Sequence, residues 1–194
     1  FVSAYFHFIN SLYPLLDKEN NNRKLKIIPH IGESHCLSFA YQTLSISSQL
    51  KQIKPVLIPG AKAWHFSNDK YNKMKASLNQ QIKKNNCSDE IFISFGEIDC
   101  RKDEGIISFA IKNNQDISQV CEKTIIGYLD YLEKLINQHF SKRYYFGIPA
   151  PCIEENSHED LDIKRIKLIK IYNSFLKKEV LSRGSYFINV YGLT

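Results

Sequence analysis

None of the five cysteines (Cys36, Cys87, Cys100, Cys121, Cys152) sits in a C-x-x-C pair, and their number is odd. That pattern argues against a disulfide framework and favours a reducing compartment, so a cytoplasmic location is expected. No apolar run reaches transmembrane length. The opening stretch FVSAYFHFINSLYPLL is too aromatic, and too interrupted by polar residues and Pro14, to be the core of a signal peptide. It starts with Phe1 in place of Met, so the native chain is expected to begin further upstream. A dense basic tract is also missing. The net charge of +6 comes from scattered lysines, with pairs only at Lys83-Lys84 and Lys177-Lys178. A nucleic-acid binder concentrates Lys and Arg on one face with aromatics between them, so nucleic acid is not an expected partner. A weak preference for anionic ligands stays open.

What is present suits one well-buried domain. The chain has 194 residues, 43% hydrophobic and 12% aromatic, and its 24% charged content argues against wholesale disorder. Residues 1–22 read as an amphipathic helix and linker, with Val2, Tyr5, Phe6, Ile9, Leu12, Tyr13 and Leu16 at helical spacing. This helix is expected to contact its own domain, another domain or another chain. Residues 23–194 read as the domain itself. Short apolar runs near 25–31, 55–58, 90–95, 143–149 and 185–191 predict strands. Helical periodicity lies between them, strongest over 116–140 and 161–181 and weaker through Tyr71, Met74, Leu78 and Ile82. Helices alternating with nearly continuous apolar strands predict a three-layer α/β/α domain, a flavodoxin-like parallel sheet of about five strands with both faces covered.

Such a sheet opens all its strand-to-helix loops on one edge, where ligands bind. That edge would gather Gly32, Glu33, Ser34, His35 and Cys36, then Gly60, Lys62, Trp64 and His65, then Gly96, Glu97, Ile98, Asp99, Cys100 and Arg101. Ser34 stands where a strand runs into a helix. It can be a nucleophile or a helix cap.

IGESHCLSF resembles the G-D-S block of the SGNH (GDSL-type) hydrolases, with Glu33 in the Asp position and Ser34 in that of the nucleophile. IPGAKAW resembles the second block, and SFGEIDCR the third, written G-x-N-D in that family. The resemblance runs in order over about residues 25–191. It implies a serine esterase in which Ser34 attacks an ester carbonyl and the backbone N–H groups of Ser34 and Gly60 bind the oxyanion. An O-acyl group on a carbohydrate is the expected substrate, by analogy with the fold. Glu33, His35, His65 and Glu97 are the expected substrate-binding residues. No cofactor or metal is expected. A zinc site from Cys36, Cys100, Cys152 and a histidine lacks a tight ligand pair, and buried thiols are the preferred reading.

Two departures stand out. Ile98 occupies the place of the family's oxyanion-donating Asn; Arg101 can replace that donor or serve as an ion-pair partner of Glu97 or Asp99. Asp99 is a catalytic candidate whose alternative role is accepting turn backbone. The D-x-x-H block that supplies base and orienting acid does not occur before Thr194, so catalysis is expected only if that block follows. His158, flanked by acids, is the internal substitute weighed for it. The rival is a non-catalytic glycan- or anion-binding module on the same fold, or a scaffold within a larger polypeptide.

Overall fold

The structure, a computed structural model, describes residues 25–86, 88–151 and 160–193. The expected helix over 2–16, with Cys87, Cys152 and His158, lies outside them.

Six strands form one sheet in the order β2-β3-β1-β4-β5-β6. They are β1 (Lys26–Gly32), β2 (Thr43–Ile46), β3 (Gln49–Leu57), β4 (Glu90–Ser94), β5 (Lys142–Phe146) and β6 (Tyr186–Ile188). All neighbours pair in parallel except β2 with β3. Leaving β2 aside, this is the expected flavodoxin-like order. The chain reverses direction across the sheet between β1 and β4, where Gly32 pairs with Ser94. The last five residues of β1 and all of β4 are buried, as central parallel strands demand.

The strand count differs from expectation through a hairpin. β3 starts six residues before the apolar run at 55, and β2 folds back on it across Ser47 and Ser48, both left-handed at φ 52° and 61°. A two-residue turn with both φ positive matches the twist of the paired strands. The crossover from β1 to β3 thus uses this hairpin and a short 3-10 turn, Ser34–Leu37, in place of an α-helix.

The helices are α1 (Ala63–Ser67), α2 (Lys73–Lys84), α3 (Ile106–Lys112), α4 (Ile117–Ile136) and α5 (Asp160–Ser182). Asp116 caps α4 by accepting from Gln119 N–H, and Asn72 caps α2 by accepting from Met74 and Lys75. The stripe of α4 is wider than the periodicity implied: Cys121, Ile125, Leu129 and Ile136 are buried beside Val120, Thr124, Tyr128 and Leu132. In α5, Ile169, Tyr172, Leu176 and Val180 are buried as expected, while Leu161 is exposed. Each fully buried large side chain of this set stabilises the fold by roughly 1.5–3 kcal/mol.

Side chains alternating along each strand feed two separate cores. Ile31, Ile91, Ile93, Phe95 and Tyr145 pack with buried residues from all the described helices. Ile28, Ile53, Phe92 and Phe146 face the other way, joined by Phe39, Leu44, Ile46 and Val190. The expected helical cover on this second face is not contributed by any described helix.

Candidate active site

At the carboxyl end of β1, Gly32 makes room for Ser94: a Cβ there would lie 2.2 Å from Ser94 Oγ. Glu33 N–H then donates to the Ser94 carbonyl at 3.2 Å, tying the turn to β4. The Glu33 carboxylate is buried. Its Oε2 accepts from Ser34 Oγ at 3.0 Å and its Oε1 meets His35 Nδ1 at 2.9 Å. That bond to Glu33 raises the pKa of His35, against burial, which lowers it. A hydrogen bond to a neighbouring carboxylate favours the charged form of an imidazole over the neutral one. Ser34 itself is exposed.

At the end of β4, Gly96 adopts φ 122°, and a Cβ there would lie 2.3 Å from Tyr172 Oη. Glu97, next to it, is held by two guanidinium groups. Arg101 Nε donates to its Oε2 at 3.0 Å, and Arg165 from α5 donates to its Oε1 at 3.0 Å. Arg101 also reaches Glu104 at 3.2 Å. Its fork is therefore engaged in ion pairs, the second of the two roles weighed for it. Ile98 is buried and offers no donor.

Asp99 is fully buried, and its carboxylate accepts from Ala63 N–H at 2.7 Å and Trp64 N–H at 3.0 Å. Burial pushes its pKa up to about 6, against these two bonds, which lower it. Asp99 thus fixes the first turn of α1. His65 belongs to the same turn: its Nδ1 accepts from Lys62 N–H at 2.9 Å, and burial, then Lys62, lower its pKa. Gly60 is exposed at φ 69°. Among the described residues, the N–H groups of Ser34 and Gly60 have no acceptor. All three loops open on one edge of the sheet, as expected.

A cavity of about 490 Å³ opens at this edge. Glu33, His35 and Glu97 form its polar side; Phe39, Phe95, Phe146 and Val190 are among its apolar walls. Ser34 is not part of the wall. His30 and Ser94, which sequence reasoning left without a role, also line it, with His30 Nε2 3.0 Å from Ser94 Oγ. A lone serine ending the buried run FIS was the available signal for Ser94. Arg165 had none, lying on a helix 68 residues from Glu97.

Glu33, His35 and Glu97 each bring a ligand atom within 4.8 Å of the others, the one acid–histidine cluster of metal-binding dimensions among the described residues. Both carboxylates already carry protein donors, so the cluster is electrostatically matched without an ion. The thiols do not join it. Cys36 and Cys121 are pushed up to about 12 by burial, and burial raises Cys100 well above the usual thiol range. They remain protonated packing groups. No described helix is long and apolar enough to cross a membrane.

No family model matches the chain, and no curated protein matches it in sequence. Solved structures do resemble it in fold. An extracellular lipase from Streptomyces rimosus superposes with a TM-score of 0.50 at 14% identity, over 86% of this chain and 81% of that one. A catalytic mutant of an acetylxylan esterase from Geobacillus stearothermophilus gives 0.51 at 14%, over 86% and 77%. A gut microbial diltiazem-metabolizing enzyme gives 0.54 at 16%, over 88% of this chain but 38% of that one. At these identities the likeness establishes the architecture: the chain has the α/β fold of these hydrolase structures.

Proposed function

We propose that this protein is an SGNH-type ester hydrolase that uses Ser34 as nucleophile and removes an O-acyl group from a carbohydrate. One observation carries the reading: Ser34 Oγ donates to Glu33 Oε2 at the sheet's reversal point, beside an apolar cavity sized for an acyl group. The lipase and the acetylxylan esterase among its structural neighbours are consistent with it.

In this mechanism Ser34 Oγ bonds to the ester carbonyl carbon while its proton passes to Glu33 Oε2, the acceptor it already meets. The oxyanion lies on the unpaired N–H groups of Ser34 and Gly60. Collapse breaks the bond to the alkoxy oxygen, which takes the proton back from Glu33 and leaves as the alcohol. Water then repeats the sequence on the acyl-serine and releases the acid. His35, bonded to the other Glu33 oxygen, holds that carboxylate in place. In the family resemblance the proton shuttle is a histidine of the D-x-x-H block; Glu33 fills that part among the described residues.

A fluorophosphonate probe tests this directly. Label should map to Ser34 and vanish in Ser34→Ala. Label on Ser94 alone, or none at all, overturns the reading. The buried Ile98, which removes a side-chain donor from the oxyanion site, favours a binding-only protein on the same fold. Release of acetate from acetylated xylan separates the two.

A further inference from the structure

A second cleft of about 210 Å³ lies on the same edge, with the exposed rings of Trp64 and Phe109 in its lining. Trp64 is 48% and Phe109 43% exposed. Exposed single aromatics are ordinary on a protein surface, but these two line one cleft and are fixed by one buried group. The Asp99 carboxylate holds the Trp64 backbone. The Asp99 carbonyl packs so closely on Gly105 that a Cβ there would lie 2.1 Å away. Gly105 immediately precedes α3 as its N-cap, and its carbonyl accepts from Phe109 N–H at 3.1 Å. Both aromatic residues are therefore positioned by Asp99.

The polar groups beside them are a matched pair: Lys62 Nζ lies 3.2 Å from Glu104 Oε2 and donates to the Glu104 carbonyl at 2.6 Å. A cleft with two exposed rings and a neutralised cation–anion pair suits a flat ligand with apolar faces and hydroxyls at its edge. C–H groups on such a face are attracted to the negative face of an aromatic ring. Hydroxyls both donate and accept, so they match an ammonium and a carboxylate alike.

We propose that the Trp64–Phe109 cleft binds one pyranose ring of a carbohydrate. Its link to turnover rests on the hydrolase reading; its affinity does not. The two sites lie on one edge and are joined by a chain of ion pairs: Glu104 pairs with Arg101, Arg101 with Glu97, and Glu97 lines the acyl cavity. A ring held at Trp64 thus places a neighbouring acylated sugar along the edge that carries Ser34.

Trp64 is the sole tryptophan of the chain, so emission excited at the red edge, where tyrosine does not absorb, reports on this cleft. Titration with xylotetraose should shift the emission saturably, equally in Ser34→Ala, and Phe109→Ala should weaken binding about tenfold. In Trp64→Ala, the ratio of kcat/KM for acetylated xylotetraose to that for p-nitrophenyl acetate should fall about tenfold, a comparison from which general damage cancels. Emission that stays constant to millimolar xylotetraose overturns the inference whether or not esters are hydrolysed. Saturable emission with no turnover of any ester supports the cleft and removes the hydrolase reading instead.

Discussion

His30 Nε2 lies 3.0 Å from Ser94 Oγ, one strand apart at the point where the sheet reverses. The imidazole is fully buried, stacked on Phe146 with ring centroids 4.8 Å apart and meeting Phe92 edge-on at 5.9 Å. Burial, with a smaller contribution from the His35 charge, pushes its pKa down to about 3. His30 is therefore a neutral hydrogen-bonding member of an aromatic core.

That neutrality has a signed consequence for acid stability. The unfolded chain titrates His30 near 6.5 and the folded chain near 3, so between these values the unfolded state binds more protons. The contribution is fully present above pH 6.5 and is lost as pH falls toward 3, at up to about 1.4 kcal/mol per pH unit. Asp99 acts oppositely: its raised folded pKa of about 6 makes its contribution decline as pH rises from 3.8 to 6. Urea melts at pH 7, 5 and 4 should show His30→Phe losing less stability on acidification than the parent. Parallel decline of the two would mean that His30 is charged in the folded protein.

Glu33 meets both Ser34 and His35, and its removal should register at each. Glu33→Gln should slow fluorophosphonate labelling by about a hundredfold or more, the range for loss of a positioned base. It should also let the His35 pKa fall, because the Glu33 bond is the largest cause raising it. Histidine NMR titration checks the second effect without any turnover. An unchanged His35 titration would show that the Glu33–His35 bond does not persist in solution.

How much of this was legible in the sequence follows from where the signals lie. The motif-bearing turns at Gly32 and Gly96 ended strands readable as apolar runs, and α4 and α5 carried helical stripes long enough to recognise. The β2–β3 hairpin did not announce itself, because its turn uses Ser47 and Ser48 at positive φ in place of Asn-Gly or Asp-Gly. β3 also carries Lys51 and Lys54 among its apolar residues, and Lys51 is buried against Glu90 from β4, a contact no local pattern encodes. The same holds for Arg165 on Glu97. Residue order placed Asp99 on the right edge, whereas its attachment to the backbone of α1 depended on a fold-level neighbour.

Gly96 and Gly184 share positive φ but not surroundings. At Gly184, φ is 68° and a Cβ would meet nothing within 4 Å, so Gly184→Ala should cost about 1 kcal/mol, the left-handed penalty alone. At Gly96 the same change adds contact with the buried Tyr172 ring to a φ of 122°, and the cost should reach about 3 kcal/mol. Chemical denaturation of both variants measures the difference. Equal losses would mean that Tyr172 moves aside freely.

Arg101 is the residue on which the two weighed roles diverge most sharply. An oxyanion donor must have a free N–H at the reacting carbon, and its replacement by lysine should lower kcat at least tenfold with KM little changed. In the fold, Nε lies on Glu97 and the terminal nitrogens on Glu97 and Glu104, and its side chain is 43% exposed. Partners so placed contribute at most about 1 kcal/mol to stability. Arg165 continues to neutralise Glu97 when Arg101 is changed. Arg101→Lys should then alter both kcat and KM for p-nitrophenyl acetate less than threefold, while Glu33→Gln in the same assay loses about a hundredfold. A kcat loss of tenfold or more in Arg101→Lys at constant KM would show instead that the guanidinium leaves Glu104 during the reaction and donates to the oxyanion in the place that Ile98 cannot serve.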